Sequence, residues 1–132
     1  MSQKRVAIIA GNGGLDAAYK VLNIATTAAA TDAQVGIFFT FEGLNIIHKE
    51  RQEHLSMGPG KEHFSEAFAQ SNIPGIPELL QIAKESGVTL IGCQMTMDVM
   101  GIDAEDLIDG VEVGGAATFL DFAYDADVTL AF

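Results

Sequence analysis

Cysteine is nearly missing from this chain, and so is positive charge. One cysteine in 132 residues excludes an intramolecular disulfide and any cysteine-based metal cluster. Seven basic residues against eighteen acidic ones leave a formal charge of −11. That balance repels phosphate backbones and anionic membranes, so nucleic-acid binding is not expected. Long apolar runs are also absent, and none approaches the roughly 20 residues that cross a bilayer. The start, MSQKRVAIIAGNGG, has two cations followed by an apolar run that glycines close at once. It is too short for a secretory h-region and reads as a first strand. These absences point to a cytoplasmic protein without membrane attachment.

Hydrophobic residues make up 48% of the chain and charged residues 19%, a globular balance rather than a disordered one. The length fits a single domain, 1–132, able to bury a core without disulfides or metals. Apolar runs alternate with helix-like segments. Strands are expected at 5–10 (RVAIIA), 34–40 (QVGIFFT), 88–92 (VTLIG), 111–113 (VEV) and 128–132 (VTLAF). Helices are expected at 16–30, which is Ala-rich, at 41–49, and at 77–86, where Pro77 suits a first turn and Gly87 a stop. Two more fit 94–100 and 115–124, and Asp103 with Asp106 has the spacing of a capping box. Strands that are apolar throughout belong to a sheet covered on both faces. Strands separated by helices make parallel βαβ units. The expectation is a three-layer α/β/α sandwich with a mostly parallel sheet of about five strands. Residues 50–75 break the rhythm: they are polar and punctuated by Gly58-Pro59-Gly60 and Pro74-Gly75, with a short helix fitting 62–70. They read equally as a flexible insertion or lid and as a plain solvated excursion.

The sole cysteine stands in GCQMTMDVMG (92–101), where the third strand meets the next helix. In an open parallel sheet, ligands sit beyond the carboxyl ends of the strands. Helix N-termini there favour anions, and a thiolate is one, so Cys93 in this position would gain acidity and nucleophilicity. The opposite reading is a small apolar residue filling a core. Position alone leaves both open. Among Met95, Met97 and Met100, the helical spacing favours core packing for at least two. Gly11-Asn12-Gly13-Gly14 follows the first strand and precedes a helix, the context of a phosphate cradle, but Asp16 occupies the place of the third glycine in a dinucleotide motif. It reads as a tight turn shaping a wall beside Cys93. His48, His54 and His63 show no metal-ligand spacing and read as solvated. No metal site is expected.

Taken together, the GNGG turn, the second strand running into FFTFEGL, and above all IGCQMTMDVMGI resemble the DsrE/DsrF/DsrH-like sulfur-relay family, in the branch often labelled "peroxiredoxin-like". The likeness spans the whole chain. It implies a three-layer α/β sandwich, a homo-oligomer (often trimer or hexamer), and a cysteine that carries sulfane sulfur as a persulfide without cofactor. Carried over, that cysteine is Cys93. Its pocket would be drawn from Gly11, Asn12, Gly13, Gly92, Gln94, Met95, Thr96 and Met97. The partners implied are small sulfur carriers of the TusA type and rhodanese-like proteins.

Three functions follow as alternatives. The first is a sulfur carrier, with sulfurtransferase catalysis left open, passing sulfur from Cys93 to a partner thiol. The second is a thiol-dependent peroxidase or reductase in which Cys93 cycles through a sulfenic acid; no second cysteine is present to resolve it. The third is a non-catalytic oligomeric binding module with an inert Cys93.

Overall fold

The computed structural model describes residues 3–132; residues 1 and 2 of the expected domain lie outside them. Five strands form one sheet in the order β4-β3-β2-β1-β5: β1 (Arg5–Ala10), β2 (Gln34–Phe39), β3 (Thr89–Cys93), β4 (Val111–Gly114) and β5 (Val128–Ala131). Every pairing is parallel, where a mostly parallel sheet was expected. The helices are α1 (Leu15–Ala30), α2 (Ser65–Gln70), α3 (Ile76–Glu85), α4 (Gln94–Met100) and α5 (Ala116–Ala123).

Alternation along the strands divides the apolar residues between two faces. On one face Val6, Ile8, Ile37, Phe39 and Leu90 meet Val21, Leu22 and Ala25 of α1 and Leu80 of α3, in a continuous buried core. On the other, Ala7, Phe38 and Ile91 meet Phe119 with the partly buried Phe122 and Ala123 of α5, and Ala126 just beyond it. Gly36 makes this second contact possible: a Cβ there would stand 2.9 Å from the Phe122 ring. Arg5 then fastens α5 to the sheet. Its guanidinium donates to the Phe122 carbonyl at 3.0 Å, lies 4.6 Å over the Phe122 ring centre and pairs with Asp125 at 3.7 Å.

Two helices stop at glycines that take the left-handed conformation at low cost. Gly87 has φ +84° and Gly101 φ +67°. The chain then reverses, with Val88 N–H on the Ala83 carbonyl and Ile102 N–H on the Met97 carbonyl. One expected helix differs. Residues Phe41–Ile47 form a 3-10 helix, whose three-residue turn stacks Leu44 under Ile47 on one side. Leu44, Ile46 and Ile47 are all fully buried there.

Residues 50–75 lie against the outside of α1. Leu15 N–H donates to the Ser56 carbonyl at 2.8 Å, Gly58 N–H to Asp16 at 2.8 Å, and the Tyr19 hydroxyl to the Pro74 carbonyl at 2.9 Å. The Tyr19 and Phe68 rings pack 5.2 Å apart. This is the sheet face opposite Cys93. Among the described residues, no helix is long and apolar enough to cross a membrane.

Candidate functional site

Cys93 ends β3 and is the N-cap of α4. Its side chain points to the α5 face, beside Phe38, Ile91 and Phe119, and is 4% exposed. Burial alone would push the thiol's pKa up, because a charge is costly where water is excluded. Hydrogen bonds outweigh it: the Thr96 hydroxyl and N–H, the Thr40 hydroxyl and the Met95 N–H all act on the sulfur and bring its pKa below the ordinary thiol value. Two of these are the free N–H groups that any helix presents in its first turn.

The hydroxyls are themselves held in place. Thr96 is buried; its oxygen accepts the Phe41 N–H at 3.1 Å and stands 3.2 Å from the Thr40 oxygen. With one lone pair of Thr96 engaged by Phe41, its proton is free to turn towards the sulfur. Phe41 adopts φ +49°, in the left-handed region, and is 60% exposed. A phenylalanine held there costs about 1 kcal/mol or more, and the arrangement places its N–H on Thr96.

The expected pocket residues separate into three places. Thr96, through its hydroxyl and N–H, and Met95, through its N–H, help to lower the Cys93 pKa, while the Met95 side chain stands 59% exposed. Gln94 is exposed and donates to Asp98 at 2.8 Å, along its own helix. Met97 is buried in the α1-side core, with Met100 packed against it. Gly92 also faces that core: a Cβ would meet Leu107, Val111 and Leu44 at 3.3–3.5 Å. Gly11, Asn12 and Gly13 follow β1, which lies two strands from β3 in the sheet. Gly11 N–H bonds the Phe132 carbonyl at 2.8 Å, and Gly13 lies so close to the Glu42 carbonyl that no side chain fits. The anion position at the N-terminus of α1 is filled from within. The Asp16 carboxylate accepts Gly58 N–H, and the N–H groups of Asp16 and Ala17 add to the effect, so its pKa falls below the usual carboxylate range. That is why the GNGG turn carries no phosphate signature.

The sequence reading missed Thr40. It sits one residue beyond β2, the strand that pairs with β3, and only that pairing brings its hydroxyl to Cys93. His48 was expected in solvent but is buried; its Nδ1 accepts the N–H groups of Glu50 and Arg51 at 3.2 and 3.3 Å, tying down a turn. Among the described residues, no group of three or more His, Cys, Asp or Glu side chains is arranged to hold a metal.

Comparison with known proteins agrees with this architecture. The model of the DsrE/DsrF/DrsH-like family matches residues 2–70 and 57–131. The chain is 34% identical, over 98% of its length and 99% of its relative's, to the sulfur carrier protein DsrE2 of Allochromatium vinosum. It is 31% identical to the uncharacterized protein YrkE of Bacillus subtilis, covering 96% of each chain. In solved structures the fold recurs in the ychN protein of E. coli, with a TM-score of 0.72 at 21% identity, covering 99% of this chain and 100% of that one. It recurs also in MTH1491 of Methanobacterium thermoautotrophicum, a protein of unknown function, with a TM-score of 0.70 at 14% identity over 97% and 99% of the two chains. On the family match and the full-length identity together, this chain belongs to the DsrE/DsrF/DrsH-like family.

Proposed function

We propose that this protein serves a sulfur relay in the cytoplasm, carrying sulfane sulfur as a persulfide on Cys93. The observation that carries the reading is the place of Cys93, at the end of β3 and the N-cap of α4, where Thr96, Thr40 and Met95 hold its pKa below the ordinary thiol value. That donor set stabilises a thiolate and, equally, the anionic sulfur of a persulfide. The relationship to a sulfur carrier protein gives the chemistry its class.

Loading is a thiol exchange. The Cys93 thiolate attacks the outer sulfur of a donor persulfide; a bond forms from Sγ to that sulfur, and the donor's S–S bond breaks with its electron pair leaving on the donor thiolate. With thiosulfate as donor, sulfite leaves instead. Unloading repeats the exchange: an acceptor thiolate takes the terminal sulfur and the Cys93 thiolate is restored. The donors at Thr96, Thr40 and Met95 steady the charge on Cys93 at both ends of the cycle. No metal or organic cofactor is needed.

The partners proposed are a TusA-type carrier or a rhodanese-like protein, and further copies of this chain in a trimer or hexamer. Exposed Phe41, Met95 and Val99, on and beside α4, support contact with another protein at this edge. The near-complete burial of Cys93 favours the inert-cysteine reading instead, and one experiment separates the two. The native protein is incubated with a persulfidated donor or thiosulfate, and its intact mass is recorded with and without reductant. Gain of one sulfur, reversed by reductant and absent in Cys93→Ser, is the expected result. A native protein that takes up no sulfur and resists alkylation until unfolded would make Cys93 structural.

A further inference from the structure

Charge is divided unevenly along this chain. Residues 1–84 hold all seven lysines and arginines, all three histidines and eight acidic residues. Residues 85–132 hold the other ten acidic residues and no basic side chain. That part supplies Cys93, the helix it caps and the β4–α5 junction beside it. An asymmetry of this kind draws in molecules of the opposite charge.

The fold gathers apolar and acidic side chains at the edge that holds the thiol. Met95 and Val99 stand one turn apart on the outer face of α4, and Val99 is 81% exposed. The exposed Phe41 lies against the same helix through its N–H on Thr96. Asp98 is exposed on that outer face. Glu112, exposed on the edge strand β4, pairs with Ile91 and so shares the sheet face of Cys93. Cys93 itself pairs with Gly114, and a side chain at Gly115 would meet nothing within 4 Å, so the approach beside the thiol is open. The seven cations stand elsewhere. Lys4, Arg5 and Lys84 lie at the amino ends of the strands, with Lys84 donating to the Asp109 carbonyl at 3.1 Å ahead of β4. Lys20 and Lys61 share a cleft with Asp16 and Glu42 on the α1 side. Lys49 and Arg51 line a cleft beyond the end of α4 with Glu50, Glu105 and Asp106. Among the described residues neither Asp98 nor Glu112 forms an ion pair.

We propose that this edge docks a protein partner whose contact face is basic, with lysines or arginines around an apolar centre. The proposal rests on the sulfur-relay reading, in which such a partner brings its thiol to Cys93. Contact with Phe41, Met95 and Val99 forms the apolar centre of the interface, and Asp98 and Glu112 form its polar rim. The field of the acidic part speeds encounter with a basic face and selects against acidic proteins. A second copy of this chain presenting the same edge brings like charge against like, so the partner is a different protein.

The test is titration of the isotope-labelled, full-length Cys93→Ser protein with a short helical peptide of leucine and lysine, followed by amide chemical shifts. The serine variant makes the outcome independent of whether Cys93 takes up sulfur, which the mass measurement decides separately. A leucine–glutamate peptide lacks the positive charge, and a serine–lysine peptide lacks the apolar centre. Saturable shifts confined to residues 40–42, 94–99 and 112–118 are expected, with the leucine–lysine peptide binding about tenfold tighter than either control and more weakly as salt rises. Asp98→Lys with Glu112→Lys should weaken it about tenfold, and Met95→Ser with Val99→Ser to a similar degree. Glu62→Lys with Glu66→Lys makes the same change of charge on the α1 side and should leave binding within about twofold. Shifts spread over Asp121–Asp127 or residues 62–66, equal weakening by the Glu62 and Glu66 pair, equal binding of the leucine–glutamate peptide, or protein concentration alone shifting Phe41 and Val99 through self-association would each overturn the proposal.

Discussion

On its α1 face the sheet is sealed by two helices and a 3-10 segment, and side chains such as Ile8, Leu22, Ile37 and Leu80 are buried almost completely. On its α5 face a single eight-residue helix covers the centre, and the buried side chains are Ala7, Phe38, Ile91, Cys93 and Phe119. Around them Val113, Leu120, Tyr124 and Val128 remain exposed. The thick face provides stability and the thin face holds the only thiol. A reactive group placed under a thin layer can be reached by small local motion, whereas one in the thick core could be reached only by unfolding. The difference also explains why Met97 and Gly92, neighbours of Cys93 in sequence, take no part in its surroundings: they point into the thick core.

Mutations can break this comparison, and the largest effect is expected on the thick face. Leu22→Ala should cost about 3–4 kcal/mol of stability by leaving a cavity, while the native-state alkylation rate of Cys93 stays unchanged; urea unfolding and iodoacetamide kinetics measure the two. Phe119→Ala should cost less, roughly 3 kcal/mol, because a thinly covered site collapses more readily. It should instead speed alkylation of Cys93. Equal stability losses with no change in alkylation would mean that the two faces do not differ as described.

Smaller changes sharpen the picture of the thiol. Thr96→Val removes a hydroxyl that donates to Cys93 and accepts from Phe41. The Cys93 pKa should rise, because a donor that favours the thiolate is lost. The pH profile of alkylation should move to higher pH accordingly. The stability cost should be about 1 kcal/mol, from the Phe41 N–H left unpaired.

The smallest effect belongs to Asp16, on the opposite face. Its pKa is lower folded than unfolded, so its contribution is fully present above the unfolded value of 3.8 and is lost as pH falls through the folded one. Asp16→Asn should therefore cost roughly 0.3–1 kcal/mol at pH 7, the scale of a carboxylate in the first turn of a helix. The gap from the parent protein should shrink by pH 3. Urea midpoints at both pH values check it.

Much of the fold was legible because burial on a parallel sheet imposes local patterns. The runs RVAIIA, QVGIFF and TLIGC could hardly be anything but interior strands, and Pro77, Gly87 and Gly101 punctuate helices through backbone constraints that act within a few residues. The helix after Cys93 was equally visible. What failed were contacts between segments. The reading of 41–49 as an ordinary helix overlooked that three side chains there must reach one core. His48 was expected in solvent because its burial depends on a turn that its own ring completes.

The sequence by itself determined the order of strands and helices, the acidic surface and the position of one cysteine at a strand-to-helix junction, since each follows from residue types a few positions apart. Only the tertiary structure decided which side chains surround that cysteine. Thr40 lies 53 positions before it (93 less 40), and no local pattern encodes that distance; the pairing of β2 with β3 brings its hydroxyl to the sulfur. The same is true of Lys20 and Lys61, which the packing of residues 50–75 against α1 brings to one cleft. Local chemistry set the elements, and long-range packing, driven by the burial of both sheet faces, set the sites.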